Sequence, residues 1–327
     1  HGTPMGMATM QYMNVRTAAQ KWGLTERRVR ILCSEGRVDG VIRNGWGWNI
    51  PIGAPKPQDG RRLRRIKNIG LRPGAANYAA LDGLKETFSV QKDDQGYVVR
   101  TFRSLFPPFL SGSFCFDGVD ISLRQVESLF EGGFPAGLTQ TQMLLCFNTR
   151  TILLRAMQET GLGPILAGPH DEPYLSERKL KRLYRTLLSG IDDLSLCEYR
   201  KASIPAGGAG GYKVFPVSQQ MAILMYQYEK EWQSLHPLIR SSFLFGELMR
   251  IRPFGSFDGL FALIAMGCEL LSAGYPVEVI PAERIPELRA DLSLTQKRGN
   301  YQNLIALFES SLERSLQLLM RKKEEHV

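Results

Sequence analysis

The sequence predicts a mainly helical protein in two parts: a small basic module of two helices and a hairpin, then a larger all-helical body. Three observations predict it. Apolar residues recur with helical spacing through most of residues 123–322. A pattern of two short helices and a hairpin occupies residues 10–53. The excess positive charge lies in the first quarter of the chain: residues 1–75 hold 14 Lys or Arg against 4 Asp or Glu, the remainder 27 against 28.

The 327 residues suffice for two domains, and 43% apolar with 22% charged residues fits packed globular structure rather than a disordered chain. No apolar run approaches the roughly 20 residues that span a bilayer, and no signal peptide is visible. A cytoplasmic protein without membrane contact is the expectation. His1 to Gly6 reads as a cloning remnant, and residues 1–9 are set aside. Cys33, Cys115, Cys146, Cys197 and Cys268 are odd in number and form no CxxC pair, which suits reduced thiols. The only histidines are His1, His170, His236 and His326, so no histidine-based metal site is expected.

In the module, residues 10–53, Asn14 can cap a helix from Val15 to Trp22 with Val15, Ala18, Ala19 and Trp22 on one face. Gly23 permits a tight turn. Thr25 can cap a second helix to Glu35, with Val29 and Leu32 inward and Gly36 as its stop. Val38–Arg43 and Trp46–Pro51 flank Asn44-Gly45, a hairpin-turn signal. The stretch AAQKWGLTERRVRILCSEGRVDGVIRNGWGWNIP resembles the small winged helix-turn-helix modules of the MerR and excisionase type. The resemblance implies that the second helix enters the major groove of double-stranded DNA, with Arg27, Arg28 and Arg30 on it and Arg43 on the wing. Arginine forks suit guanine edges and phosphates alike, so anchoring and base readout both stay open. Packing or protein contact is the competing use of such a module. A homodimer on a two-fold site is expected, because one module has a small footprint.

Residues 54–74 are rich in Pro, Gly and Arg and read as a basic linker. Arg61, Arg62, Arg64 and Arg65 suit either the phosphate backbone or a solvated hinge. The body, residues 75–327, begins with an irregular stretch, Gln91–Phe102, readable as a hairpin or a loop. Helical spacing covers Leu123–Phe130, Gln140–Glu159, Ser176–Leu188, Ser218–Leu235, Leu238–Arg250, Phe257–Ala273 and Asn300–Lys322. Ser122, Thr139, Ser176 and Ser218 are candidate N-caps; Gly190 and Gly274 follow candidate C-termini. Leu260, Leu263, Ile264, Met266, Leu270 and Leu271 make one helix apolar nearly all round, which predicts a central buried helix.

Four pieces carry a second resemblance: Leu175–Ile204, Val217–Trp232, His236–Phe254 and Leu270–Pro276 are similar, in order, to the Fic domain family. The resemblance implies a helical domain with a β-hairpin flap and a core motif His-x-Phe-x-(Asp/Glu)-Gly-Asn-Gly-Arg-x-x-Arg. In the family the histidine is a general base, the acid holds Mg²⁺, and the glycines and arginines hold nucleotide phosphates. Here Arg252 stands in the base position, and an arginine stays protonated at any relevant pH. Phe254 and Gly259 match. Ser256 replaces the metal carboxylate, Phe257 and Asp258 fill the glycine and asparagine places, and Leu260 and Leu263 replace both arginines. Shifting the frame by two aligns Asp258-Gly259 with the acid–glycine pair, yet Leu260 and Ala265 still depart from the motif.

Family members also carry an inhibitory helix whose glutamate pairs with the second motif arginine. Ser113–Gly118 fits that pattern with Asp117 in the glutamate place, while Leu263 replaces its partner. A turn cap is the simpler role for Asp117. The flap persists in outline: Tyr199, Arg200 and Ile204 precede a glycine-rich tip, Gly207–Gly211, and Tyr212 follows. In the family this hairpin adds a strand to an extended protein target; an ordinary surface hairpin fits equally. His236 precedes the motif and is expected to be structural.

The functional expectation is a DNA-binding regulator whose Fic-like body has lost catalysis and serves sensing, partner binding or dimerisation, with no cofactor. Two alternatives stay open. One is a Fic-fold transferase of altered chemistry using ATP and Mg²⁺. The other is an antitoxin-like module paired with an active Fic protein.

Overall fold

The computed structural model describes residues 11–34, 38, 40–45, 47–57, 78–89, 100–160, 173–192, 198–200 and 216–324. The remnant, the linker arginines, Gly36, Trp46, the flap tip with Ile204 and Tyr212, and residues 91–99 lie outside the described residues.

The first helix, α1 (Val15–Trp22), starts where the Asn14 side chain accepts the Thr17 amide at 2.8 Å. It stops at Gly23, whose φ of 62° is the left-handed conformation a glycine adopts without Cβ strain. Helix α2 (Glu26–Ser34) follows, with the Thr25 hydroxyl accepting the Arg28 amide at 3.2 Å. Strands β1 (Tyr12–Met13), β2 (Ile42–Asn44) and β3 (Gly47–Pro51) pair antiparallel in the order β1-β3-β2. The strands are shorter than their hydrophobic spacing suggests, and the turn sits one residue later. Asn44 pairs with Gly47, and Gly45, at φ 57°, takes the left-handed position. Ala18, Trp22, Val29, Leu32 and Ile50 close a separate small core.

The body comprises α3 (Ala79–Ser89), α4 (Phe106–Asp117), α5 (Leu123–Phe130), α6 (Gln140–Thr160), α7 (Glu177–Leu187), α8 (Val217–Lys230), α9 (Pro237–Ile251), α10 (Asp258–Ser272), α11 (Ile285–Arg298) and α12 (Gln302–Glu324). Residues 100–103 are helical, not a hairpin. Helices α4 and α11 lie outside the stretches with helical spacing. Each carries proline in its first turn, where the missing N–H costs no hydrogen bond. Ser122 and Thr139 both form reciprocal caps with the glutamine three residues on. Ser218 does not cap α8, which begins one residue earlier behind Pro216. Gly190 and Gly274 take left-handed conformations just beyond α7 and α10.

All fifteen residues of α10 are buried, as an all-apolar surface demands, and α4, α6, α7 and α9 pack around it. Two acidic residues of α10 lie inside this packing, Asp258 in its first turn and Glu269 in its last. Glu269 of α10 bonds the Arg240 guanidinium of α9 and the Tyr228 hydroxyl of α8, each at 2.5 Å. Arg240 also donates to the Gln233 and Leu235 carbonyls. His236 caps α9 by accepting the Leu238 amide at Nδ1, 3.2 Å, and its ring stacks on Tyr78. Its Nε2 lies 3.3 Å from Asp82. Burial lowers its pKa, and with both ring nitrogens engaged it is structural, as its position before the motif implies.

Candidate functional site

The motif loop runs from the end of α9 to the start of α10. Arg252 ends α9 in a left-handed conformation, φ 47°, and Phe257 adopts φ 50° immediately before α10. Two non-glycine residues at positive φ within six positions mark a tightly determined loop.

Two carboxylates occupy the donors around the start of α10. Asp258, buried, accepts the Phe254 amide at 3.1 Å and the Gly255 amide at 2.8 Å. Asp117, arriving from the end of α4, accepts the Gly259 amide at 3.0 Å. The first amides of a helix bind anions because they lack intrahelical partners and sit at the positive end of the helix dipole. Here those partners are side chains of the chain itself. A Cβ at Gly259 would stand 2.4 Å from the Asp117 carboxylate, so a larger residue there would displace that side chain. Burial pushes the Asp117 carboxyl up to about 6, opposed by the Gly259 and Leu260 amides and reinforced by the charge of Asp258. Burial also raises Asp258, against its amide bonds and the charges of Arg252 and Arg200.

Arg252 is exposed, its Nε 3.8 Å from Asp258, and it offers no lone pair to take a proton. Ser256 is exposed, while Phe254, Leu260 and Leu263 are buried. Tyr184 of α7 stacks on Phe254 at 3.7 Å between ring centres, and its hydroxyl donates to the Ser256 carbonyl at 2.9 Å. The loop is thereby filled with aromatic side chains. Among the flap residues, Tyr199 and Arg200 reach the loop. The Arg200 amide donates to the Pro253 carbonyl at 2.9 Å, and its guanidinium clasps the Ile251 and Arg252 carbonyls at 2.7 and 2.6 Å. Ser113 spends its hydroxyl on the Phe109 carbonyl, and Gly118, φ 79°, closes α4. Asp117 therefore meets the backbone of α10, not the Leu263 position. Arg289 of α11 holds the end of α4 through the Cys115 and Phe116 carbonyls, both at 3.0 Å. Nothing in the sequence pattern signals Tyr184 or Arg289, since both act across long chain separations.

In the N-terminal module Arg27 is exposed and Arg28 partly buried, while Arg30 pairs with Glu26 on its own helix at 2.8 Å. Arg43 lies over the Trp48 ring at 5.5 Å. Arg61 and Arg62 lie outside the described residues.

Against solved structures, Fic-1 from C. elegans aligns with a TM-score of 0.55 and 16% identity, covering 80% of this chain and 82% of that one. A Fic domain containing signaling protein from Bacteroides thetaiotaomicron VPI-5482 aligns at TM-score 0.59 and 20% identity, covering 75% and 97%. The helical body has the Fic fold. The protein adenylyltransferase Fic of Drosophila mojavensis is 25% identical over 152 residues, 45% of this chain and 29% of that protein; its counterpart in Drosophila persimilis is 26% identical over 149 residues. The chain thus spans less than a third of these relatives. No protein-family model matches it.

Nucleotide and Mg²⁺, which the Fic fold implies, do not fit these residues. Ser256 lacks the negative charge of the carboxylate that holds Mg²⁺ in the family, Asp258 is spent on two amides, and Asp117 covers the α10 terminus. Among the described residues no three His, Cys, Asp or Glu side chains cluster as a metal site, and no helix is long and apolar enough to cross a membrane.

Asp117→Asn keeps an acceptor for Gly259 and removes the charge. A carboxyl raised to about 6 stays protonated in the folded chain after the unfolded chain has ionised, so wild type loses stability as pH rises from about 4 to about 6. The stability advantage of the variant is expected to widen across that window and stay level above it. Urea midpoints across pH check this; parallel curves contradict it.

Proposed function

We propose that this protein is a cytoplasmic DNA-binding regulator whose Fic body transfers no nucleotide. The observation that carries the reading is the occupation of the α10 N-terminus by Asp117, with Asp258 on the neighbouring loop amides. A nucleotide phosphate entering there would have to displace one carboxylate and tolerate the other. Arg252 adds to the case, since it cannot serve as a base. Loss of both phosphate arginines, at Leu260 and Leu263, removes the remaining anchors.

The N-terminal module supplies the positive half of the reading. Two capped helices joined at a left-handed glycine and backed by a small sheet support a winged DNA reader. Arg27 on α2 and Arg43 on the hairpin are exposed, and the first 75 residues carry the chain's excess charge. The body then serves as a sensing, partner-binding or dimerising unit, with a protein segment at the flap or a second copy of the chain as its partner.

The test pairs two assays on the full chain. Duplex binding across selected genomic fragments is expected to show sequence preference that Arg27→Ala combined with Arg43→Ala abolishes. Incubation with labelled ATP and Mg²⁺ is expected to label no protein. Robust transfer that Asp258→Asn removes would favour the altered transferase instead, the reading that the named adenylyltransferase relatives support. Absence of any duplex preference would leave an interaction module, such as the partner of an active Fic protein.

A further inference from the structure

From residue 76 onward the chain carries 27 basic against 28 acidic residues, yet its cations are not spread evenly. Helix α7 alone holds Arg178, Lys179, Lys181, Arg182 and Arg185, and Arg155 stands on the neighbouring α6. Arg178, Arg182 and Arg185 follow i, i+4, i+7 spacing, so they share one face, and all three are exposed. Arg155 and Arg182 line one shallow groove with Tyr174 and Thr186.

Three carboxylates face these six cations. Glu159 takes Lys179 at 2.8 Å and Arg182 at 3.1 Å. Glu198 takes Lys181 at 3.0 Å and Arg185 at 2.7 Å, and Glu177 lies 4.0 Å from Lys181. Among the described residues Arg155 and Arg178 pair with no carboxylate. Ion pairing within the protein accounts for part of this face and leaves it strongly positive.

We propose that this α6–α7 face binds the phosphate backbone of duplex DNA, as a second contact beside the N-terminal module; the proposal rests on the DNA-binding reading above. Charge complementarity selects the occupant. Exposed guanidinium forks match phosphate oxygens two at a time, as point-charge lysines do not. On α6 the exposed Thr151 and Gln158 are polar, and Phe147, two turns before Arg155, adds a single exposed ring rather than the apolar face a lipid surface takes. The 20 residues between Pro57 and Tyr78 span at most about 70 Å, so module and body have the reach to meet one duplex.

The test uses the full chain and a fluorescent duplex carrying its preferred site, titrated across a salt series. Arg155→Gln combined with Arg178→Gln leaves every ion pair of the face intact, and its melting curve is to match wild type. The slope of log affinity against log salt is expected to become shallower by about 2, one per lost phosphate contact, with sequence preference unchanged. An unchanged slope, in a chain whose binding Arg27→Ala still weakens, overturns this proposal and leaves the regulator reading standing. If wild type binds no duplex at any salt, the regulator reading itself falls, and this one with it. If phosphatidylserine vesicles, and not DNA, lose binding in the double variant, the face belongs to a membrane surface and the proposal is overturned.

Discussion

Arg240→Met is expected to cost about 3–5 kcal/mol and to lower the melting temperature by about 10 °C. The side chains of Arg240 and Glu269 are 11% and 1% exposed, so the carboxylate has no water to fall back on. Removing the guanidinium strands a charge inside the packing of α8, α9 and α10, with the Tyr228 hydroxyl as its remaining donor. The loss comes from the uncompensated carboxylate rather than from the missing contact, and this is separable. Adding Glu269→Gln removes the charge and keeps an acceptor for Tyr228, so the double variant is expected to recover more than half of the lost stability. Urea unfolding of the two variants decides it: a single-variant loss below about 1 kcal/mol, or no recovery in the double variant, contradicts the account.

Gly112→Ala is expected to destabilise by about 2 kcal/mol or more, although alanine is the better helix former. A Cβ at Gly112 of α4 would lie 2.1 Å from the Ile280 carbonyl oxygen and 3.2 Å from its carbon. Both are backbone atoms, so no rotamer change relieves the clash, and α4 must move away from residues 277–280. Because α4 carries Asp117, the shift also draws its carboxylate from the Gly259 amide. The Gly259 amide opposes the upward push of burial on that carboxyl, so its loss is expected to deepen the stability loss between pH 4 and 6 as well as to lower the melting temperature. Gly83→Ala in α3 is the control, for its Cβ would meet no atom within 4 Å. That change is expected to be neutral or stabilising by up to about 1 kcal/mol. Equal behaviour of the two alanines would show that helix propensity, not close approach, governs Gly112.

Much of the architecture was legible because it is local. Asn14, Ser122, Thr139 and Ser176 cap helices within three residues of themselves, so a short window contains both partners. The apolar circumference of α10 states its own burial. Helices α4 and α11 were less legible, because prolines near their starts read as breaks when the element boundary is not yet known. Ser218 had the chemistry of a cap, but tertiary packing started α8 one residue before it.

The sequence by itself determined that the body is helical, that α10 is central, and that an arginine stands where the motif has its histidine. These follow from residue type and period, which are properties of single positions and their near neighbours. Only the tertiary structure decided what surrounds the loop before α10. Asp117 and Gly259 lie 142 residues apart, Arg200 clasps carbonyls some 50 residues away, and Tyr184 stacks on a ring 70 residues on. Periodicity says which face of a helix avoids water; it does not say which partner the chain brings to that face. A carboxylate seated on the first amides of α10 is a meeting of two elements, and it exists only once both are packed.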